Sequence, residues 1–325
     1  LIPQMRAFAR TETPVGRWSR RACKNLEENL AALQNPGTFC NQSRYSRAVM
    51  DIHRVLHTAG KPFGVQLSLS DYEDGRRSPL RSVDLIQAAE QPEVNPFYSY
   101  FSARLAQALE ESPDFIGFSM NFLSQALCTM AMIGFVKKIH PRQKILLGGS
   151  LATSWIRLSG RTNLFSGLVD RMVEGAGEEK LLALLGMPPR REGPSADYDL
   201  LEKNRYFSPG FILPYSAAEG CWWRKCSFCP EKAEANPYRP LSASRAAAEL
   251  EALARKTQAS LIHLLDSSIS PALLQALIEN PPGSPWYGFA RATRHLADED
   301  FCRALKKSGC AMLKLGMESG HQGVL

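Results

Sequence analysis

No stretch of this sequence concentrates charge of one sign. Lys and Arg number 39 against 32 Asp and Glu, so a net charge of +7 is spread over 325 residues. That mild excess permits an anionic partner, but it lacks the basic run that marks nucleic-acid binding, which is not indicated. Disorder, collagen and coiled coil are excluded as whole-chain readings by 44% hydrophobic and 22% charged residues. No secretory signal opens the chain, so its eight cysteines are not expected to form a disulfide framework, and the expected location is cytoplasmic. One membrane-like run, Phe115 to Val136, is uncharged. Ser119, Asn121, Ser124, Gln125 and Thr129 interrupt it, and it reads as a strand, a polar turn and a helix rather than a membrane span. The chain opens on Leu1 and closes on Leu325 just past a strand, which reads as an excerpt from a longer protein.

What is present is organised in stages. Residues 1–60 are polar and helical in pattern, with apolar residues at helical spacing over Arg21 to Leu33 and Arg44 to Leu56. From residue 61 to 187 strands alternate with helices. Val65, Leu67 and Leu69 alternate with polar residues as a half-buried strand, and strands follow at Asp114 to Met120, Lys144 to Leu147 and Val169 to Val173. Such alternation predicts a mostly parallel, doubly wound Rossmann-like sheet that binds ligands beyond its carboxyl ends. Those ends are Ser119-Met120-Asn121, Gly148-Gly149-Ser150 and Gly175-Ala176-Gly177. A proline- and glycine-bearing linker occupies 188–210. Residues 211–325 alternate again, with strands at Phe211 to Tyr215, Leu261 to Leu265, Trp286 to Ala290 and Met312 to Gly316.

Five cysteines are scattered, and three fall within nine residues. Cys221, Cys226 and Cys229 have the spacing C-x4-C-x2-C, in the loop after the first strand of the last domain. Three thiolates that close can hold one metal or one cluster, and iron–sulfur clusters usually take four, so three would leave one iron open. A zinc site completed by a distant ligand such as His263 or Cys310 stays open as a reading of the same residues, as do three unrelated thiols. The later strands end in polar residues: Asp266, Ser267 and Ser268, then Arg291 and Thr293, then Glu318 and Ser319. In a βα barrel these would converge on one mouth. Trp222 and Trp223 read as packing, and His53, His57, His140 and His295 as surface or core histidines.

Gly220 to Cys229 followed by Pro230 resembles the cluster loop of radical S-adenosylmethionine (radical SAM) enzymes, with Phe228 as the aromatic before the last cysteine. The extra residue between Cys221 and Cys226 departs from the common spacing and is similar to the form in members with an N-terminal cobalamin-binding-like domain. Leu264-Leu265-Asp266, Gly288-Phe289-Ala290-Arg291 and Gly316-Met317-Glu318-Ser319-Gly320 resemble that subgroup's next strand ends. The resemblance implies a cobalamin-binding-like Rossmann domain over 61–187 and the first part of a radical SAM barrel over 211–325. Four of about six strands are visible, so it also implies that the substrate-reading strands are missing. It assigns Cys221, Cys226 and Cys229 to a [4Fe–4S] cluster. For S-adenosylmethionine it assigns Phe228 to the adenine, Asp266 and Ser267 to the methionine amino group, Arg291 to the carboxylate, and Glu318 or Ser319 to the ribose.

The implied function is an enzyme that cleaves S-adenosylmethionine reductively and starts radical chemistry, with cobalamin-dependent methyl transfer as one form. The electron would come from a flavodoxin or ferredoxin. A non-enzymatic zinc-binding interaction module is the alternative. Peptides, modified RNA, lipids and natural products all stay open as substrates. Cobalamin, if bound, would lie against Ser119, Gly148, Gly149, Gly175 and Gly177, where glycines allow close backbone approach. The cobalt-ligating D-x-H-x-x-G loop has no counterpart. Asp51-Ile52-His53 lacks the final glycine and lies on a helix, and the loop Asp71 to Arg77 has no histidine.

Overall fold

In the computed structural model, which describes residues 5–6, 16–188, 197–199, 201, 206–317 and 320–321, the chain divides into two compact units. One comprises Leu1–Ala32 with Asn41–Ser195, the other Leu33–Cys40 with Ala196–Leu325. Each contains a parallel sheet, so the fold is mixed α/β.

The chain begins with the expected helices: α1 (Arg17–Lys24), α2 (Leu26–Leu33) and α3 (Gln42–Gly60). Asn41 starts α3 by accepting the Arg44 N–H on its side chain. Asp51, 2% exposed, sits within α3 and accepts from Arg21 at 2.7 Å and Arg54 at 2.7 Å. The Asp-x-His sequence is therefore helix interior, as its apolar spacing predicts.

Strand β1 (Val65–Leu67) overturns an expectation. It does not join the parallel sheet. It turns back and pairs antiparallel with β2 (Tyr72–Asp74), a strand the periodicity does not announce. Ser68 supplies the reason: its Oγ accepts the N–H groups of Ser70 and Asp71 at 3.2 and 2.8 Å, closing a tight polar turn. Two helices without a strong periodic signal follow, α4 (Ser82–Glu90) and α5 (Tyr98–Glu110).

The first unit's parallel sheet has β3 (Phe115–Ser119), β4 (Lys144–Gly148) and β5 (Arg171–Met172) in consecutive order. Among the described residues the strand order never reverses, so the doubly wound arrangement with its ligand crevice is absent from them. Helices α6 (Leu123–Ile139), α7 (Ser150–Ser159) and α8 (Glu178–Leu184) follow the strands. The membrane-like run is thus β3 plus α6. Helix α6 is apolar because it is buried nearly all round, from Ala126 and Leu127 to Phe135 and Val136. Gly134 lets it cross α4 closely: a Cβ there would lie 1.8 Å from the Ala89 carbonyl oxygen. No helix among the described residues is long and apolar enough to cross a membrane.

The second unit has four parallel strands: β6 (Ile212–Tyr215), then β9 (Leu261–Leu264), β10 (Trp286–Arg291) and β11 (Cys310–Gly316). A two-stranded ribbon, β7 (Ala218–Glu219) with β8 (Arg239–Pro240), lies between β6 and β9 in sequence. The connecting helices are α9 (Ala243–Thr257), α10 (Pro271–Glu279) and α11 (Glu299–Lys307). Ser242, Ser270 and Asp298 cap them, each side chain accepting a backbone N–H of the first turn. Leu213, Leu250, Ile262, Leu264, Leu277 and Trp286 are fully buried between sheet and helices. The alternate residues His263, Tyr287 and Phe289 lie on the other face, where His263 stacks on Tyr287 at 4.3 Å. Within the expected linker, Tyr198 is buried in this same core and its hydroxyl donates to the Pro214 carbonyl.

Candidate functional site

The three clustered cysteines lie in the loop that leaves β7 at the carboxyl edge of the second sheet. Glycine is required at its entrance. Gly220 has φ +70°, and a Cβ there would sit 2.4 Å from the Pro237 carbonyl oxygen. Asp266, just past β9 and 3% exposed, braces the same region by accepting the Ala217 N–H at 3.1 Å. Burial pushes its carboxyl above the usual aspartate range, opposed in part by the N–H groups of Ala217 and Ala218.

Both tryptophans fasten the loop to neighbouring strand ends. Trp222 donates from Nε1 to Ser268 Oγ at 3.2 Å. Trp223 lies under the Arg291 guanidinium at 3.9 Å and under Lys225 at 4.6 Å, so the last residue of β10 holds the cysteine loop through a cation–π contact. These residues do more than the packing expected of them.

The structure thus brings the Cys221 loop, Asp266, Ser267 and Arg291 to one edge. Ser267 donates to Glu231 Oε1 at 3.0 Å. Phe228 is 65% exposed. Glu318 and Ser319 lie outside the described residues. Sequence reasoning missed two participants. Glu231 follows Cys229-Pro230 in a helical turn, and its Oε2 is buried without a partner. Tyr238 stands near Cys221 and Asp266 and hydrogen-bonds Ser270; burial pushes its hydroxyl pKa up. Pro230 at a helix start with an acid beside it was the available signal for Glu231; Tyr238, on a loop, carried none. Thr293 Oγ1, beyond β10, is also buried and unpartnered.

All three cysteines are free and half-buried. Among the described residues, no three His, Cys, Asp or Glu side chains are gathered closely enough to hold a metal ion. The donor set nonetheless fits a thiolate-held group in number and kind, and the orphaned polar atoms at the same edge fit a bound ligand. To hold one group, the thiols would have to draw together. A zinc site completed by Cys310 does not fit. Cys310 starts β11 opposite Trp286, at the amino edge of the sheet, and burial pushes its thiol up to about 11. His263 lies within β9, stacked on Tyr287, rather than at the loop.

The first unit's strand ends differ in packing, with open space at the Cβ positions of Gly175 and Gly177. A Cβ on Gly149 would lie 2.4 Å from the Met120 carbonyl oxygen, so this glycine serves the approach of two strand exits. Ser119 pairs with Gly148 across the sheet and takes a hydrogen bond from Asn121, whose side chain in turn accepts the Ser150 N–H at 3.0 Å. The Gly175 N–H donates to Thr153, and Gly177 precedes α8. β1 lies outside this three-stranded sheet. No protein-family model matches the chain, and no curated protein or solved structure was found to be significantly similar to it.

Proposed function

We propose that the second unit holds a [4Fe–4S] cluster at Cys221, Cys226 and Cys229 and uses it to start radical chemistry from S-adenosylmethionine, as the resemblance of its loop to radical SAM enzymes implies. The observation that carries this reading is three cysteines in one nine-residue loop at the carboxyl edge of a consecutively ordered parallel sheet. Strands in that order, with a helix between each strand and the next, are the arrangement that continues into a βα barrel, and function in such barrels sits at that edge. When bound, the cluster supplies one electron for reductive cleavage of S-adenosylmethionine. The chain's own residues frame the site. Gly220 and Asp266 set the loop's path, and Trp222 and Trp223 tie it to the next two strands. Arg291 would exchange Trp223 for the ligand carboxylate, and the exposed Phe228 would be covered by the adenine. Arg224 and Lys225, exposed beside the thiols, suit a one-electron donor such as a flavodoxin or ferredoxin with an acidic docking face. Cobalamin has no part in the proposal, because no step of it uses the first unit.

Anaerobic reconstitution with iron and sulfide tests the reading and should give about four irons per chain. Alanine at any of the three cysteines should abolish it, while alanine at Cys302 or Cys310 should not. Iron retained by Cys226→Ala, or zinc bound in place of iron, would overturn the assignment.

A further inference from the structure

One cleft among the described residues lies in the first unit, far in sequence from the cysteines, and has a volume of about 530 Å³. One wall is a stripe of α3 carrying His53, Arg54 and His57, continued by Lys61 just past the helix end. The other is the β1–β2 hairpin, carrying Gln66, Asp71 and Glu73, with Gln66 and Glu73 paired in register on one face. Met50 and Leu67 add apolar surface between the walls.

Three features suit this cleft to a ligand. Arg54 is fixed in place: one of its terminal nitrogens donates to the buried Asp51 at 2.7 Å, and no described residue takes its remaining N–H groups. The exposed side chains of His53, His57, Lys61, Gln66 and Glu73 line the cleft and take no side-chain partner among the described residues. The hairpin turn is meanwhile held by its own Ser68 and Asp71, so the wall is formed without a ligand.

The chemistry of the walls selects the ligand. The volume falls in the range of roughly 300–1,000 Å³ typical of small organic ligands and is far too large for a lone metal ion. Arg54, held by Asp51, together with Lys61 and two imidazoles, matches a dianion better than a single carboxylate. Two carboxylates and an amide opposite match a group rich in hydrogen-bond donors. We infer that this cleft binds a small phosphate ester bearing free hydroxyls, with its phosphate on the α3 stripe and its hydroxyls on Asp71 and Glu73. This site is independent of the proposed cluster.

Isothermal titration calorimetry of the 325-residue chain with ribose 5-phosphate tests this. The expected result is saturable binding that weakens about tenfold or more in Lys61→Ala and in Glu73→Gln and is unchanged in Cys226→Ala. Lys61 and Glu73 are exposed, so neither variant should disturb the fold. Ribose or inorganic phosphate alone should bind more weakly than the ester. No binding by the folded chain, equal binding by inorganic phosphate, or tighter binding of O-phosphoserine than of ribose 5-phosphate would each overturn the inference.

Discussion

Replacing Gly220 by alanine tests whether the cysteine loop is held by backbone geometry. Two penalties add. A residue with a Cβ at φ +70° pays roughly 1–2 kcal/mol for the left-handed conformation. The new Cβ would also lie 2.4 Å from the Pro237 carbonyl oxygen, where ordinary contact begins at 3.4 Å, so the β7–β8 ribbon must shift by the difference of 1.0 Å. That shift strains the pairing of Ala218 with Pro240 and of Glu219 with Arg239, at about 1 kcal/mol for each hydrogen bond lost. The total is about 3 kcal/mol. Gly283→Ala is the internal control, since Gly283 has φ +77° and open space around its Cβ position. It should lose only the conformational part, about 1–2 kcal/mol. Urea unfolding of both variants measures the difference. Hydrogen exchange at the Leu241 amide, which donates to the Ala217 carbonyl at 2.8 Å, reports the ribbon itself. Equal losses in the two variants, with Leu241 still protected in Gly220→Ala, would refute the reasoning.

Further outcomes follow from the same geometry. Asp266 keeps its proton to a higher pH when folded than when unfolded. Its contribution to stability is therefore full below the ordinary value of 3.8 and is lost as pH rises through the raised folded value. Asp266→Asn should gain stability relative to wild type as pH rises above that point, and a pH-independent difference in urea midpoints would contradict this. A double-mutant cycle over Trp223→Ala and Arg291→Ala should give a coupling of roughly 0.5–1 kcal/mol, and zero coupling would remove the clasp. Gly134→Ala should cost about 3 kcal/mol by forcing α6 off Ala89, and an unchanged melting temperature would disprove the close crossing.

The second unit was more legible in sequence than the first, for physical reasons. Its helices announce themselves through side-chain caps at Ser242, Ser270 and Asp298, and its strands through short apolar runs bounded by polar residues. Val65 to Leu67 carried an equally good strand pattern, yet periodicity says nothing about which partner a strand takes. That was decided by Ser68, the next residue. Helices α4 and α5 lacked periodicity strong enough to announce them, and α4 starts at Arg81 without a side-chain cap. At the site, the cysteines were readable because their spacing is a chemical signal. The grip of Arg291 on Trp223 was not, because it joins residues 68 positions apart through ring geometry alone.

The division of labour within the cysteine loop has its own logic. The backbone frame is fixed at its entrance by Gly220 and Asp266 and along its length by two tryptophans, while the three thiols stay apart. Three thiolates brought together without metal would repel one another, and three thiols would lose solvation for no bond gained. A fold that closed them in advance would store that cost in the empty protein. Under the proposed function the last convergence would fall to the metal, where metal–sulfur bonds would offset it and closure would be coupled to binding and to the release of the thiol protons. The exposed Phe228 suits the same proposal, since an aromatic that a ligand would cover has nothing to bury against beforehand.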